Sequence, residues 1–226
     1  MLRKLILTTA LIGSTFVAQA GVLTPVQQVN SNWLDTNFGE YSVQFNRFDT
    51  QGGTRILKKI HFKLFGETQK DFFAENTSLS SAAEFDVALG TKLKLTTGNA
   101  LELVSTLPEY EASFSLARFD GNLDYNGVSG LNNLGLYASK LAQTTITSQN
   151  LLAMFTGVGT ISTFLWGKSN DALITTGGNL TNNIKTKAAA TAYIQYEYEL
   201  QQVSAPATLG LMGLGFIGLM LRTRRQ

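Results

Sequence analysis

Alternation of apolar and polar positions is the dominant local signal in this chain, and it predicts strands. From residue 85 onward, Phe85, Val87, Leu89, Leu93 and Leu95 fall on one side, with Asp86, Lys92 and Lys94 on the other. Residues 190–200 repeat the pattern, setting Ile194, Tyr196, Tyr198 and Leu200 against Gln195, Glu197 and Glu199. Ile60, Phe62 and Leu64 likewise oppose Lys59, His61 and Lys63, and Tyr41, Val43 and Phe45 begin another run. Turn-forming clusters separate these runs: Gly52-Gly53, Thr97-Gly98-Asn99, Asn126-Gly127 and Thr176-Gly177-Gly178-Asn179. Strands with one apolar face must bury it against a second sheet. The expectation is an all-β domain over residues 21–202, an antiparallel β-sandwich of jelly-roll or Ig-like type with eight to ten strands. Residues 148–155 are the exception and predict a short helical turn capped by Ser148.

Both ends depart from this pattern. Arg3 and Lys4 precede an apolar run over residues 5–17, and Ala18-Gln19-Ala20 forms a small-x-small site before Gly21. Residues 1–20 therefore predict a secretory signal peptide, removed after Ala20 by signal peptidase. Its apolar run is shorter than the roughly 20 residues a membrane span needs. At the other end, Ser204, Ala205 and Pro206 lead into a Gly-rich apolar run over residues 207–221, closed by Arg222, Arg224 and Arg225. As a helix, residues 203–221 would cover roughly 28 Å, near the thickness of a hydrocarbon core. Pro206 suits a first helical turn, and the arginines would stay in the cytoplasm, holding the domain outside the inner membrane.

The tail resembles the PEP-CTERM sorting signal, which joins a short Pro-containing motif, a Gly-rich hydrophobic helix and a basic end. Ser204-Ala205-Pro206 stands where that family has Pro-Glu-Pro. The resemblance implies recognition by an exosortase, a membrane cysteine protease and transpeptidase, and passage from the inner membrane to the cell surface or an exopolysaccharide matrix. The middle of the chain carries landmarks in order: 117–125 (Ala-Arg-Phe-Asp-Gly-Asn-Leu-Asp-Tyr), 155–161 (Phe-Thr-Gly-Val-Gly-Thr-Ile), 177–180 and 192–198. Together these resemble the choice-of-anchor E domain, which implies a bacterial surface or secreted protein with an alternative C-terminal anchor and offers no catalytic residues to carry over.

Charge and composition narrow the function. Of the 18 basic residues, Arg3, Lys4, Arg222, Arg224 and Arg225 lie in the end segments, leaving thirteen against 16 acidic residues in the domain. A weakly acidic domain of this kind is not built for nucleic acid, whose binding needs concentrated Lys and Arg. Cysteine is absent, which removes disulfides, thiolate nucleophiles and Cys-ligated metals. His61 is the single histidine, so Ser/His/Asp catalysis and His-based zinc sites are excluded, and it reads as a surface residue.

Other chemistry is reduced to a few candidates. Glu109 with Glu111, and Glu197 with Glu199, share strand faces as glycosidase carboxylates would, but so do ordinary solvated acids. Asp120, Asn122, Asp124 and Asn126 alternate as oxygen ligands for calcium would. An EF-hand loop would require Gly and Glu where Tyr125 and Leu131 stand, and a hydrogen-bonded turn or edge explains the run without metal. Asn76 and Asn179 begin glycosylation sequons. Trp33, Tyr110, Trp166 and Tyr193 are candidate sugar-stacking rings, though strand aromatics commonly pack in cores. The expected function is a non-enzymatic surface or matrix protein needing no cofactor, with a carbohydrate-binding module acting on matrix polysaccharide as the alternative.

Overall fold

The computed structural model describes residues 21–201. The predicted signal peptide and cleavage site through Ala20, and the predicted tail helix and basic end, lie outside the described residues. Within them the chain forms β1 (Val22–Leu23), β2 (Gln27–Asn30), β3 (Leu34–Asp35), β4 (Phe38–Asn46), β5 (Arg55–Asn76), β6 (Ala83–Thr97), β7 (Glu102–Thr106) and β8 (Glu109–Leu116). It continues through β9 (Gly130–Ile146), the helix α1 (Gln149–Phe155), β10 (Thr160–Thr176) and β11 (Leu180–Leu200).

These strands form two antiparallel sheets. One runs in the order β1-β11-β5-β9, with β2 and β3 also on β11; the other runs β4-β10-β6-β7, with β8 also on β6. β1, β2 and β3 lie end to end along β11, at Tyr198, Ala192 and Ala188 respectively. β7 and β8 likewise share the edge of β6. The break between them falls at Pro108, which has no N–H for the ladder, and the Pro108 carbonyl accepts the Thr91 N–H instead.

The pairs are nested: β1–β3 with β11, β4 with β10, β5 with β9, and β6 with β7 and β8. The chain is thus one long hairpin with its tip between β6 and β7, wound so that successive pairs fall in alternate sheets. That is a jelly-roll order, and it decides between the two sandwich types. The strands are long. β5 has 22 residues, and at about 3.3 Å per residue it runs roughly 70 Å.

The predicted alternation holds along this length. Ile60, Phe62 and Leu64 of β5 and Leu89, Leu93 and Leu95 of β6 are fully buried, as are Phe45 and Leu165 from β4 and β10. Two apolar clusters divide the interior. The larger includes Phe45, Phe62, Leu95, Leu165 and Tyr196; the smaller is built on Phe72, Ala74, Phe85, Val87, Leu89 and Leu116. Between them lies a polar waist of Thr68, Lys70, Thr91, Ser169 and Asp171, in which Thr68 and Thr91 are hydrogen-bonded at 2.7 Å.

Two local expectations are corrected. Leu200 faces solvent at 45% exposure, because β11 ends there against Arg55, beyond the last core ring of Tyr198. Ser148 occupies the N-cap position of α1, but its side chain makes no capping bond; its carbonyl accepts the Leu152 N–H. α1 is held by packing instead. Leu152 and Phe155 are buried, and Phe155 meets Phe62 edge-on at 5.5 Å between ring centres.

Candidate functional site

The outer face of the β4-β10-β6 sheet carries a groove of about 530 Å³ lined by Asn37, Phe38, Gly39, Lys92, Lys94, Trp166, Gly167 and Lys168. Its geometry follows from strand period. Lys92 and Lys94 occupy the solvent face of β6, and the register places Lys168 opposite Lys92 and Trp166 opposite Lys94. Three lysines therefore gather around one indole with no acidic residue in the lining. The Lys94 ammonium lies 5.3 Å from the Trp166 ring centre, within cation–π range. Trp166 Nε1 donates to Thr96 Oγ1 at 3.0 Å, which fixes the ring's orientation.

A bulge shapes the other wall. Leu165 pairs with Tyr41 and Gly167 with Phe38, so Gly39 and Glu40 together stand opposite Trp166. Glu40 takes the left-handed conformation, at φ 56°, as does Asn37 at φ 68°. Gly39 is required by close approach, since a Cβ there would come within 2.7 Å of the indole. Bulges of this kind redirect side chains, and this one opens β4 where the indole lies.

The four predicted aromatics do not converge. Trp166 forms the groove, whereas Trp33 lies between β2 and β3 on the other sheet, 43% exposed. Tyr110 packs against the smaller core cluster. Tyr193 lines a separate groove on the β11-β5-β9 face with Phe65, Leu141 and Val26.

The acidic candidates are engaged elsewhere. Glu197 accepts from Lys59 Nζ at 2.8 Å and meets His61 Nε2 at 3.0 Å, while Glu199 pairs with Lys58 at 2.9 Å. The Lys59 and then the His61 hydrogen bonds hold the Glu197 carboxyl below the usual range. His61 is partly buried rather than free at the surface, its Nδ1 lying 3.0 Å from Thr145 Oγ1. Glu109 and Glu111 belong to β8, and Glu109 Oε2 lies over Gly90.

Asp120, Asn122, Asp124 and Asn126 fall in the loop between β8 and β9 rather than on a strand. Asp120 Oδ1 accepts the Asn122 N–H, and Asp124 Oδ1 the Asn126 N–H, both at 2.9 Å. These are Asx turns, the folded alternative to metal ligation. Among the described residues, no group of three or more His, Asp or Glu gathers to hold a metal.

Two structural residues were not identified as such from the sequence. Asn76, read there only as the start of a sequon, is fully buried. Its Nδ2 donates to the carbonyls of Ser81 and Ala117, and its Oδ1 accepts from the N–H groups of Ser78 and Asn179. Glu75 beside it is also fully buried, and its Oε2 accepts the Tyr125 N–H at 2.7 Å. A tie between β5 and loops 40 to 100 residues away has no local signature. The Asx pattern was legible, but not what lay beneath it.

Comparison with known proteins gives one match by family model. The PEP-CTERM protein-sorting motif matches residues 202–225. None of the curated proteins is detectably similar to the chain. Among solved structures it is similar to the VP2 subviral particle of infectious bursal disease virus, at 12% identity and TM-score 0.25, covering 87% of this chain. It is also similar to the structure of the Gx strain of that virus, at 8% identity and TM-score 0.20, covering 88%. The chain spans 42% of the length of each. No helix among the described residues is long and apolar enough to cross a membrane. The motif supplies the identification that the folded domain does not: this chain carries a PEP-CTERM sorting signal, the mark of an exported protein processed by an exosortase and associated with the membrane through its C-terminal tail.

Proposed function

We propose that the protein is a non-enzymatic surface or matrix protein, released outward by its sorting signal, whose domain holds an acidic polysaccharide of the extracellular matrix. The observation that carries this reading is the Trp166 groove: an indole fixed by Thr96, ringed by Lys92, Lys94 and Lys168, with no carboxylate in the lining. An aromatic face stacks against the C–H face of a sugar ring, and flanking ammonium groups pair with uronate or other anionic substituents. The paired state of Glu197, Glu199 and His61 supports a binding rather than a cleaving role. The ordered landmarks of residues 117–198 fit a choice-of-anchor E type domain, whose place is on bacterial surfaces.

The test is binding of uronate-containing and neutral polysaccharides to the exported protein. Acidic glycan is expected to bind, with affinity falling as salt rises. Trp166→Ala is expected to lower affinity about tenfold or more, corresponding to loss of roughly 1.4 kcal/mol. Lys92→Glu combined with Lys168→Glu is expected to abolish the preference for acidic over neutral chains. Equal binding by wild type and Trp166→Ala would remove the groove from the account. Mass spectrometry of the native C-terminus tests the sorting step independently: an intact tail in the inner membrane would make the protein a permanently tethered domain.

A further inference from the structure

The polar waist holds the one lysine found buried among the described residues. Lys70 projects inward from β5 with its side chain 1% exposed, and forms an ion pair with Asp171 of β10, whose side chain is 19% exposed. The partners belong to opposite sheets, so this contact bridges the sandwich. Ser169, on the same face of β10, connects the two groups. Its Oγ accepts from Lys70 Nζ at 3.1 Å and donates to Asp171 Oδ2 at 2.6 Å, while Lys70 Nζ also donates to Asp171 Oδ1.

Amine, carboxyl and a hydroxyl bridging them, gathered between the sheets with the amine itself buried, are the components of an amide condensation. We propose that Lys70 and Asp171 join in an intramolecular isopeptide bond, a covalent clamp between the two sheets with Ser169 as the proton relay. The proposal stands independently of glycan binding.

The step balances without any co-reactant. One proton passes from the Lys70 ammonium to Ser169 Oγ as the Ser169 hydroxyl proton passes to Asp171 Oδ2, leaving a neutral amine and an acid protonated on Oδ2. The Nζ lone pair attacks Cγ, so the Nζ–Cγ bond forms and the Cγ–Oδ2 bond breaks. Ser169 Oγ takes a proton from Nζ as it passes its own to Oδ2, which departs as water. Nothing is oxidised or reduced.

Burial favours the reactive, neutral form of the amine. It lowers the Lys70 amine below the usual lysine range, against the opposing hydrogen bond and charge of Asp171 and the charge of Glu109. The geometry also supplies proximity, since β5 and β10 hold the two groups in contact before any bond forms. The chain has no cysteine, so this position offers the covalent cross-link that a disulfide would otherwise provide.

Peptide mass spectrometry on the exported, folded wild-type protein is the test. The expected result is a branched tryptic peptide joining the segments around Lys70 and Asp171, one water lighter than its two linear parts, with no cleavage after Lys70. Lys70→Arg, which keeps the charge and cannot condense, is expected to yield only linear peptides and a lower Tm. Ser169→Ala is expected to slow the reaction, leaving a larger linear fraction in freshly folded protein. Linear, unmodified peptides from folded wild type would overturn the proposal and leave an ion pair alone. Unchanged condensation in Ser169→Ala would overturn the relay.

Discussion

Asn76 shows how much of this fold rests on single buried polar groups. Its amide makes four hydrogen bonds to the backbone of three separate segments, near residues 78–81, at 117 and at 179. Asn76→Ala leaves those donors and acceptors unpaired in a site without solvent, where each orphaned group costs about 1–3 kcal/mol. The expected loss is about 3 kcal/mol or more, read as a lower urea midpoint with unchanged slope. Asn76→Asp should be no milder, because the carboxylate cannot donate to Ser81 and Ala117. Glu197 makes a prediction about acid. Its carboxyl is held below the ordinary value of 4.5 by hydrogen bonds from Lys59 and His61. A depressed folded value means that this contribution is complete above the unfolded pKa and is lost as pH falls through the folded one. Stability measured from neutral pH down to strong acid should therefore drop further in wild type than in Glu197→Gln; parallel curves would deny the contribution.

At the scale of elements, bulges and plugs matter more than strand propensity. The β4 bulge puts Gly39 and Glu40 opposite Trp166, and without it the indole would meet a side chain in place of an open wall. α1 acts differently, inserting Leu152 and Phe155 into the larger cluster. Phe155 is fully buried against Phe62, and its carbonyl accepts the Phe48 N–H. Phe155→Ala should cost about 3–5 kcal/mol, the usual range for removing a buried aromatic ring, as measured by thermal or urea unfolding. An effect under about 1 kcal/mol would show that the neighbouring side chains collapse into the space.

For the whole molecule, nested pairing sets the behaviour. β1 pairs with β11 at Val22 and Tyr198, near opposite ends of the described chain, so closing the outer ribbons before the inner ones would carry the largest loop-closure cost. Folding should be slow, as expected for all-β topologies dominated by distant contacts. The two apolar clusters share β5 and β6, and the waist contacts join them. One cooperative transition is therefore expected, with tryptophan fluorescence, which reports Trp33 and Trp166, coinciding with far-UV circular dichroism. Separate midpoints would mean that the clusters unfold independently.

Much was legible from the sequence alone, and the physical reason is that local period dictates burial. The apolar faces of Phe85 to Leu95 and of Ile60 to Leu64, the glycine turns, the short helix and the sorting motif are all encoded within windows shorter than twenty-five residues. A one-residue alternation admits only one way to hide its apolar face. Tertiary structure alone decided the rest, because it depends on which distant strands meet. Only the register of β10 against β6 set Trp166 beside Lys92, Lys94 and Lys168, and only the packing of one sheet on the other brought Lys70 to Asp171, 101 positions away. In the sequence Asn76 stood out only as the start of a sequon, and its burial beneath three segments is a product of tertiary structure. The strands announce themselves through neighbours along the chain, whereas the groove, the waist and the tie at Asn76 exist through neighbours in space.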